Sequence, residues 1–436
     1  MASRRASYGN TETLGVLGTR SRTQILSAAR AVFAERGYHA VTVEDIGARA
    51  GRTAAGVYQY FASKGEIFAV FAEQLATELL RHASRLGELG PTERGFDELR
   101  TWLGGLGLIF HRHTFTFELY AAAAADAGLS GADGDRFNRR FTDRVASRFP
   151  ESIPVEVAAD LALVVLSTSD WAHSLHGLGW PCDEAELNET WARLLQLTLF
   201  PSTTAVLDQL VHTWSPPSPP PEDGAASGTP TQEWIGLRRP VSPRALKTVT
   251  RIVNAAETVL MRRGLQGMSM AEVAAEAGVR YSSVYTYWAN REDLAATVSN
   301  RACQHLGRLL GDVPASVTAA DPSAALQAWL QAAMADYPRY CGAVRMWAAN
   351  ASLDPRIEAD RATAARAGAR ALRAVMTCSP HRHLFGPTAL PLVLVALLQS
   401  PSQAPTAPSF GADNFVAALM LLVGRGLLGL EVPSAE

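Results

Sequence analysis

The sequence is poor in the features that mark several classes of protein. Its four cysteines, Cys182, Cys303, Cys341 and Cys378, lie far apart in 436 residues, which makes no disulfide framework and suits buried, reduced thiols. No apolar run approaches the roughly 18 residues of a membrane span, so a soluble protein with no membrane partner is expected. Arg4 and Arg5 are followed by no apolar signal core, which makes the cytoplasm the expected location. No stretch alternates apolar and polar residues between hairpin turns, as strands would. A phosphate-cradling glycine loop, a nucleophile elbow and a paired metal-ligand motif are all lacking, so neither an enzyme nor a cofactor is expected. Neither sign of charge dominates, at −2 net, and 47% apolar against 19% charged residues excludes a disordered polyelectrolyte.

What is present is unevenly placed. Met1 to Lys64 holds nine Lys or Arg against four acids, and Arg238 to Arg291 holds nine against three, leaving −13 on the rest of the chain. An anionic partner would therefore meet two local basic patches and be repelled elsewhere. Ser215 to Pro230 reads SPPSPPPEDGAASGTP, too poor in apolar residues to fold, and marks a linker that cuts the chain nearly in half. Across that cut the two halves align without gaps at a constant offset of 227: Ile25 with Ile252, Gly37 with Gly264, Ala50-Gly51 with Ala277-Gly278, and Val57, Tyr58 and Tyr60 with Val284, Tyr285 and Tyr287. About 14 of 46 positions are identical, and Leu99, Trp102 and Leu103 still meet Leu326, Trp329 and Leu330, so a whole unit was duplicated and fused.

The periodicity is helical. Ile25, Ala28, Ala29, Val32 and Phe33 form one apolar stripe that Gly37 ends. Thr42 is placed to cap a short second helix through Ala50, Gly51 makes a turn, Thr53 caps a third helix through Phe61, and Ser63 caps a fourth. Two short helices joined by such a turn make a helix-turn-helix, whose second helix enters the major groove of DNA. The frame Thr42, Val43, Ile46, Ala50, Gly51, Val57, Tyr58, Tyr60, Phe61, Lys64 recurs as Ser269, Met270, Val273, Ala277, Gly278, Val284, Tyr285, Tyr287, Trp288, Arg291.

This doubled frame resembles the TetR family of regulators, strongly over 22–68 and 249–295. The resemblance implies an all-α fold of two tandem TetR-like units, each an N-terminal helix-turn-helix three-helix domain followed by a helical ligand-binding and dimerisation domain. The expected divisions are 1–68 and 241–295 for the DNA-binding domains, 69–212 and 296–436 for the regulatory domains, and 213–240 for the linker. By the same resemblance Thr42 and Ser269 give hydroxyl hydrogen bonds to phosphate, Tyr58, Tyr60, Tyr285 and Tyr287 touch backbone or base methyls, and Lys64 and Arg291 grip phosphate. Base reading falls to Thr53, Ala54, Ala55, Gly56 and Gln59 in one half and to Arg280, Tyr281, Ser282, Ser283 and Thr286 in the other. These two sets differ throughout, which predicts a double-stranded operator with unlike half-sites. The structural alternative for the tyrosines is packing between helices, with one of each pair partly buried.

Arg20 and Arg22, and Arg238, Arg239, Arg244 and Lys247, precede the two first helices as basic arms suited to a minor groove. Trp102, Phe110, Phe115, Phe117, Tyr120 and Trp171, with Trp329, Tyr337, Tyr340 and Trp347, lie where the resemblance places a pocket for a small apolar effector; the alternative is plain core. His111, His113, His173 and His176, and Cys378, His381 and His383, form no ligand pairing that predicts a metal. The family's dimer interface would come from Val155 to Leu178 and Glu184 to Phe200 in one half, and from about Leu390 to Leu398 and Asn414 to Leu428 in the other, interrupted by the proline-rich Ser400 to Gly411. A linker of about 35 residues reaches roughly 30 Å, which allows the two halves to pair as an intramolecular pseudo-dimer. The leading expectation is a ligand-responsive repressor. The second is a small-molecule binding or interaction protein whose helix-turn-helices, one or both, no longer read DNA, a doubt raised by Ala54, Ala55 and Gly56.

Overall fold

In the computed structural model the described residues are 16–124, 126–129, 131–177, 182–210, 236–238, 242–348, 354–400 and 412–432. Arg4, Arg5, Arg239, the segment Ser215 to Pro230 and residues 401–411 lie outside them. The described residues are helical throughout their regular structure, with no strand among them. They divide into two compact units, one of Met1–Arg81 with Ile109–Phe137 and the other of His82–Leu108 with Asn138–Glu436. The compact division therefore differs from the expected one: the first helix-turn-helix shares its unit with Ile109–Phe137 rather than ending near residue 68.

In the first unit, α1 (Val16–Ala40) buries its predicted stripe, with Ile25 and Ala29 fully enclosed, and breaks at Gly37, whose φ of 73° costs a glycine little. α2 (Val43–Arg49), α3 (Ala54–Tyr58) and the start of α4 (Lys64–Ala83) close over Ile46, Val57, Phe61 and Phe68. α6 (Thr114–Ala123) supplies Phe115 and Ala123 to the same core, which is the reason this unit reaches past the three-helix motif.

The second unit contains α5 (Glu93–Arg112) up to Leu108, most of α7 (Gly131–Ala146), α8 (Val155–Gly177), α9 (Glu184–Leu199), α10 (Thr204–Gln209) and the whole second half. There α11 (Pro243–Gly267) breaks at Gly264, φ 66°, and packs with α12 (Met270–Glu276), α13 (Tyr281–Tyr287) and α14 (Arg291–Gly311) around Ile252, Val273, Val284 and Trp288. α15 (Val313–Val317), α16 (Pro322–Asp336), α17 (Cys341–Ala348) and α18 (Pro355–Cys378) follow, then α19 (Ala389–Gln399), α20 (Ala412–Leu419) and a π-helical stretch, Met420–Leu427. The duplication persists into hydrogen bonding: Trp102 donates to the carbonyl of His82 at 3.1 Å and its repeat partner Trp329 donates to that of Leu309 at 2.7 Å, so all four positions keep the offset of 227.

The terminal helices of the two halves pack on one another. α19 lies against α8 and α9, α20 against α8, and the π-helical stretch against α9. The seam is specific as well as apolar. Glu186 accepts from the backbone of Thr388 at 2.9 Å and Ala389 at 3.1 Å and from the Thr388 hydroxyl at 2.6 Å, so a carboxylate of the first half sits at the start of a helix of the second. Gly386 donates to Thr190 Oγ1 at 2.9 Å, and Asn414 to the Glu156 carbonyl at 3.1 Å. At Gly426 a Cβ would come within 2.9 Å of the Leu194 carbonyl, which makes glycine the residue that lets the helices approach.

One buried carboxyl stands out in the second unit. Glu257 of α11 is 5% exposed, faces Arg301 of α14 at 3.4 Å, and lies near Arg339 and Cys341. Burial pushes its carboxyl up to about 7, with Arg301 and then Arg339 pulling the other way. A carboxyl raised by folding favours the folded state while protonated; that advantage is present below the ordinary carboxylate range and is lost as pH rises towards about 7. Glu257→Gln is therefore expected to leave the thermal midpoint unchanged at pH 4 and to raise it by several degrees at pH 8, as melts across that range would register.

Candidate nucleic-acid interface

The two helix-turn-helices are built from the same local devices. Thr42 accepts from the Asp45 amide at 3.2 Å while Asp45 accepts from the Thr42 backbone at 2.9 Å, a reciprocal cap at the start of α2. These bonds from Thr42 hold the Asp45 carboxyl below the usual carboxylate range, with Arg36 adding to them. Ser269 caps α12 through the Glu272 amide at 3.2 Å. Gly51 and Gly278 turn the chain at φ 66° and 60°, where a side chain would be strained. Thr53 then caps α3 through Gly56 at 3.2 Å, while α13 begins at Arg280, whose guanidinium can only donate and so gives no side-chain cap.

The structure brings the expected base-reading residues onto exposed faces. Thr53, Ala55, Tyr58 and Gln59 are exposed and Ala54 and Gly56 half-buried; Arg280, Tyr281, Ser282 and Thr286 are exposed and Ser283 half-buried. The two faces differ in length as well as chemistry. α3 spans five residues, ending at Tyr58 short of the expected Phe61, whereas α13 spans seven; neither holds a charged residue, and Arg280 stands at the cap of α13. On α13 Tyr281 and Tyr285 stand one turn apart with ring centroids at 4.9 Å and hydroxyls at 2.9 Å, forming one aromatic ridge.

Several expected contacts are drawn into the protein instead. Tyr287 is 7% exposed and belongs to the core, as the packing alternative had it, and Tyr60 is half-buried beside Arg52. The hydroxyl hydrogen of Thr42 goes to Asp45 Oδ2 at 2.8 Å. Lys64 folds inward, donating to the carbonyls of Tyr38 at 2.9 Å and Val41 at 3.0 Å, because these lie just beyond the break at Gly37 and need donors. Burial lowers its ammonium below the ordinary lysine range. Arg291 pairs with Glu292 at 3.1 Å on a partly open surface.

The basic arms are also corrected. Arg20 and Arg22 lie inside α1, which starts at Val16, and the Arg22 guanidinium stacks over Phe61 at 5.0 Å. Arg244 and Lys247 lie inside α11, which starts at Pro243 behind its cap Ser242. Arg238 does precede α11, but its amide donates to the Tyr287 carbonyl at 2.8 Å and its guanidinium to that of Tyr285 at 3.5 Å, closing the end of α13.

Sequence reasoning missed the ion pairs that brace each motif. Arg36–Asp45 at 3.0 Å recurs as Arg263–Glu272 at 3.3 Å, both positions shifted by 227. Glu35–Arg49, at 3.0 Å, recurs with its charges exchanged as Arg262–Glu276. The signal was available in the offset, since a pair that swaps sign together points to contact. Being exposed, these pairs are screened by solvent and contribute little to stability.

The aromatics expected around an effector are packed. Trp102 and Trp329 spend their indole N–H on backbone carbonyls, Trp347 donates to Ser299 Oγ at 3.0 Å and Tyr340 to the Ala333 carbonyl at 3.0 Å. Phe110 meets half-buried Phe117 edge-on at 5.0 Å, Tyr337 meets Tyr340 at 5.4 Å, Trp171 is buried and Tyr120 is 39% exposed. Among the described residues no three His, Cys, Asp or Glu side chains converge on a metal position, and no helix is long and apolar enough to cross a membrane.

Comparison with known proteins agrees with the geometry. The family of bacterial regulatory proteins of the TetR type matches twice, at residues 25–70 and 252–298, which are the two helix-turn-helices with the starts of their following helices. A search of curated proteins returns no significant match. The chain belongs to the TetR family of DNA-binding transcriptional regulators, with two TetR-like units in tandem.

Proposed function

We propose that the chain is a ligand-responsive repressor that works as a single-chain pseudo-dimer in the cytoplasm, reading an asymmetric operator with its two unlike recognition helices. The observation that carries this reading is the seam of α8 and α9 with α19, α20 and the π-helical stretch, which pairs the last helices of one half with those of the other inside one polypeptide. The seam has contacts in both senses but with unlike residues: Glu186 near the start of α9 accepts at the start of α19, whereas Asn414 near the start of α20 donates to the Glu156 carbonyl at the start of α8, which favours pairing of unlike halves over self-pairing of either. Covalent attachment keeps the effective concentration of one half around the other at about millimolar, so DNA competence would not depend on protein concentration. A small apolar effector would enter by opening the packed aromatic core of one half and displacing α4 or α14, shifting the population towards a spacing of recognition helices that no longer fits the operator.

Selection of binding sites from random duplex DNA, with the mass of the complex, tests this. The expected result is one site with two unlike half-sites bound by a single chain of 46.7 kDa, with affinity falling steeply as salt rises. A palindrome bound by two chains would mean that only one motif reads bases. No enriched site would favour the second reading, a small-molecule binding or interaction protein, to which the short α3 with its small residues Ala54, Ala55 and Gly56 lends support. The seam has its own test. Glu186→Ala is expected to lower unfolding free energy by about 2 kcal/mol by stripping a charged acceptor from three donors, with Glu186→Gln losing less; equal losses in urea titrations would contradict the capping role.

A further inference from the structure

The second unit holds a polar cleft. A cleft of about 520 Å³ opens between α11, α14 and the end of α16, within the range of small-molecule sites, and none of the expected aromatics lines it. Three guanidiniums, Arg301, Arg308 and Arg339, and the imidazole of His305 face it against one lining carboxylate, Asp336. That carboxylate is already engaged, by His305 at 2.8 Å and by Arg339.

The other two arginines are under-used. Arg301, His305 and Arg308 stand at i, i+4 and i+7 on α14, one face over roughly 10 Å of helix. Arg308 is exposed, and the contact its guanidinium makes is with His305 Nδ1 at 3.4 Å; no carboxylate lies in ion-pair range of it among the described residues. Arg301 reaches the buried Glu257 at a loose 3.4 Å. In a chain acidic outside its DNA-binding segments, a concave wall with open guanidinium forks is complementary to an oxyanion.

We propose that this cleft binds a small organic oxyanion, a molecule bearing carboxylate or phosphate, held between Arg301 and Arg308. Its chemistry is opposite to that of an apolar effector, so it is a separate input. It also has a route to the DNA-binding domain: an anion on Arg301 competes with Glu257, the ion pair that joins α14 to α11, first helix of the second three-helix domain.

A phosphate of the DNA backbone carries the same chemistry, and the experiment separates the two sources. The full chain without DNA is titrated calorimetrically with citrate and with inorganic phosphate at constant ionic strength, beside Arg308→Ala and, as an exposed control outside the cleft lining, Arg373→Ala. The expected result is saturable binding of at least one anion by the native chain and the control, weakened roughly tenfold in Arg308→Ala. Absence of saturable binding, or equal binding by Arg308→Ala, overturns the site. Loss of operator affinity in Arg308→Ala without anion binding to the free chain assigns the cleft to DNA phosphate and overturns it equally. With no DNA in the titration, its outcome is independent of whether the chain reads an operator.

Discussion

Trp288→Ala is expected to lower the unfolding free energy by about 3–5 kcal/mol and, on the proposed function, to weaken operator binding through the second helix-turn-helix. Trp288 is fully buried directly after α13, and its indole N–H donates to Thr297 Oγ1 at 2.7 Å. That hydroxyl donates in turn to the Asp293 carbonyl at 3.1 Å, so one side chain ties the end of the recognition helix to α14. Truncation opens a cavity the size of an indole and frees the end of α13 to move. The first half supplies the control. Phe61 occupies the equivalent position, 1% exposed, and shows that an aromatic without a polar handle fits this frame. Trp288→Phe should thus cost only about 1–2 kcal/mol, the lost hydrogen bond and a smaller void. Urea unfolding with DNA binding by anisotropy checks both; a loss under about 1 kcal/mol for alanine would mean that the site collapses and that Trp288 does not anchor α13.

Arg193→Met should be comparably damaging, about 3–5 kcal/mol, and for an electrostatic reason. Arg193 is fully buried on α9, pairs with Glu189 at 2.8 Å, and donates to the carbonyls of Leu207 at 3.3 Å and Leu210 at 2.7 Å. It therefore closes the end of α10, the last described helix before the two halves are joined. Methionine keeps the stem and removes the charge, leaving Glu189, 8% exposed, with Arg100 at 3.7 Å as its remaining ion-pair partner among the described residues. Replacing both, Glu189→Leu with Arg193→Met, should recover much of the loss, because it removes the stranded carboxylate along with its partner. A double-mutant cycle measures this; strictly additive losses would contradict the coupling.

The helix-turn-helices were legible because their signals are local. Thr42, Ser269 and Thr53 cap helices they precede by one residue, Gly51 and Gly278 supply a turn that other residues resist, and the stripe from Ile25 to Phe33 has the helical period. The role of Lys64 was not legible, since its partners, the carbonyls of Tyr38 and Val41, lie more than twenty residues back. Arg22 and Arg238 show the same limit: as cations beside a DNA-binding motif they read as minor-groove arms, and only the fold shows the ring that Arg22 stacks on and the carbonyl that Arg238 meets.

By itself the sequence determined the duplication, the all-α class, the placement of both recognition helices and the unlike chemistry of their exposed faces, all of which follow from spacing along the chain. Tertiary structure decided which aromatics are core, which cations are spent, where Glu186 of one half meets the start of a helix in the other, and which arginines are left open above Glu257. Those outcomes depend on burial and on contacts between residues as far as 258 positions apart, and no local period encodes either.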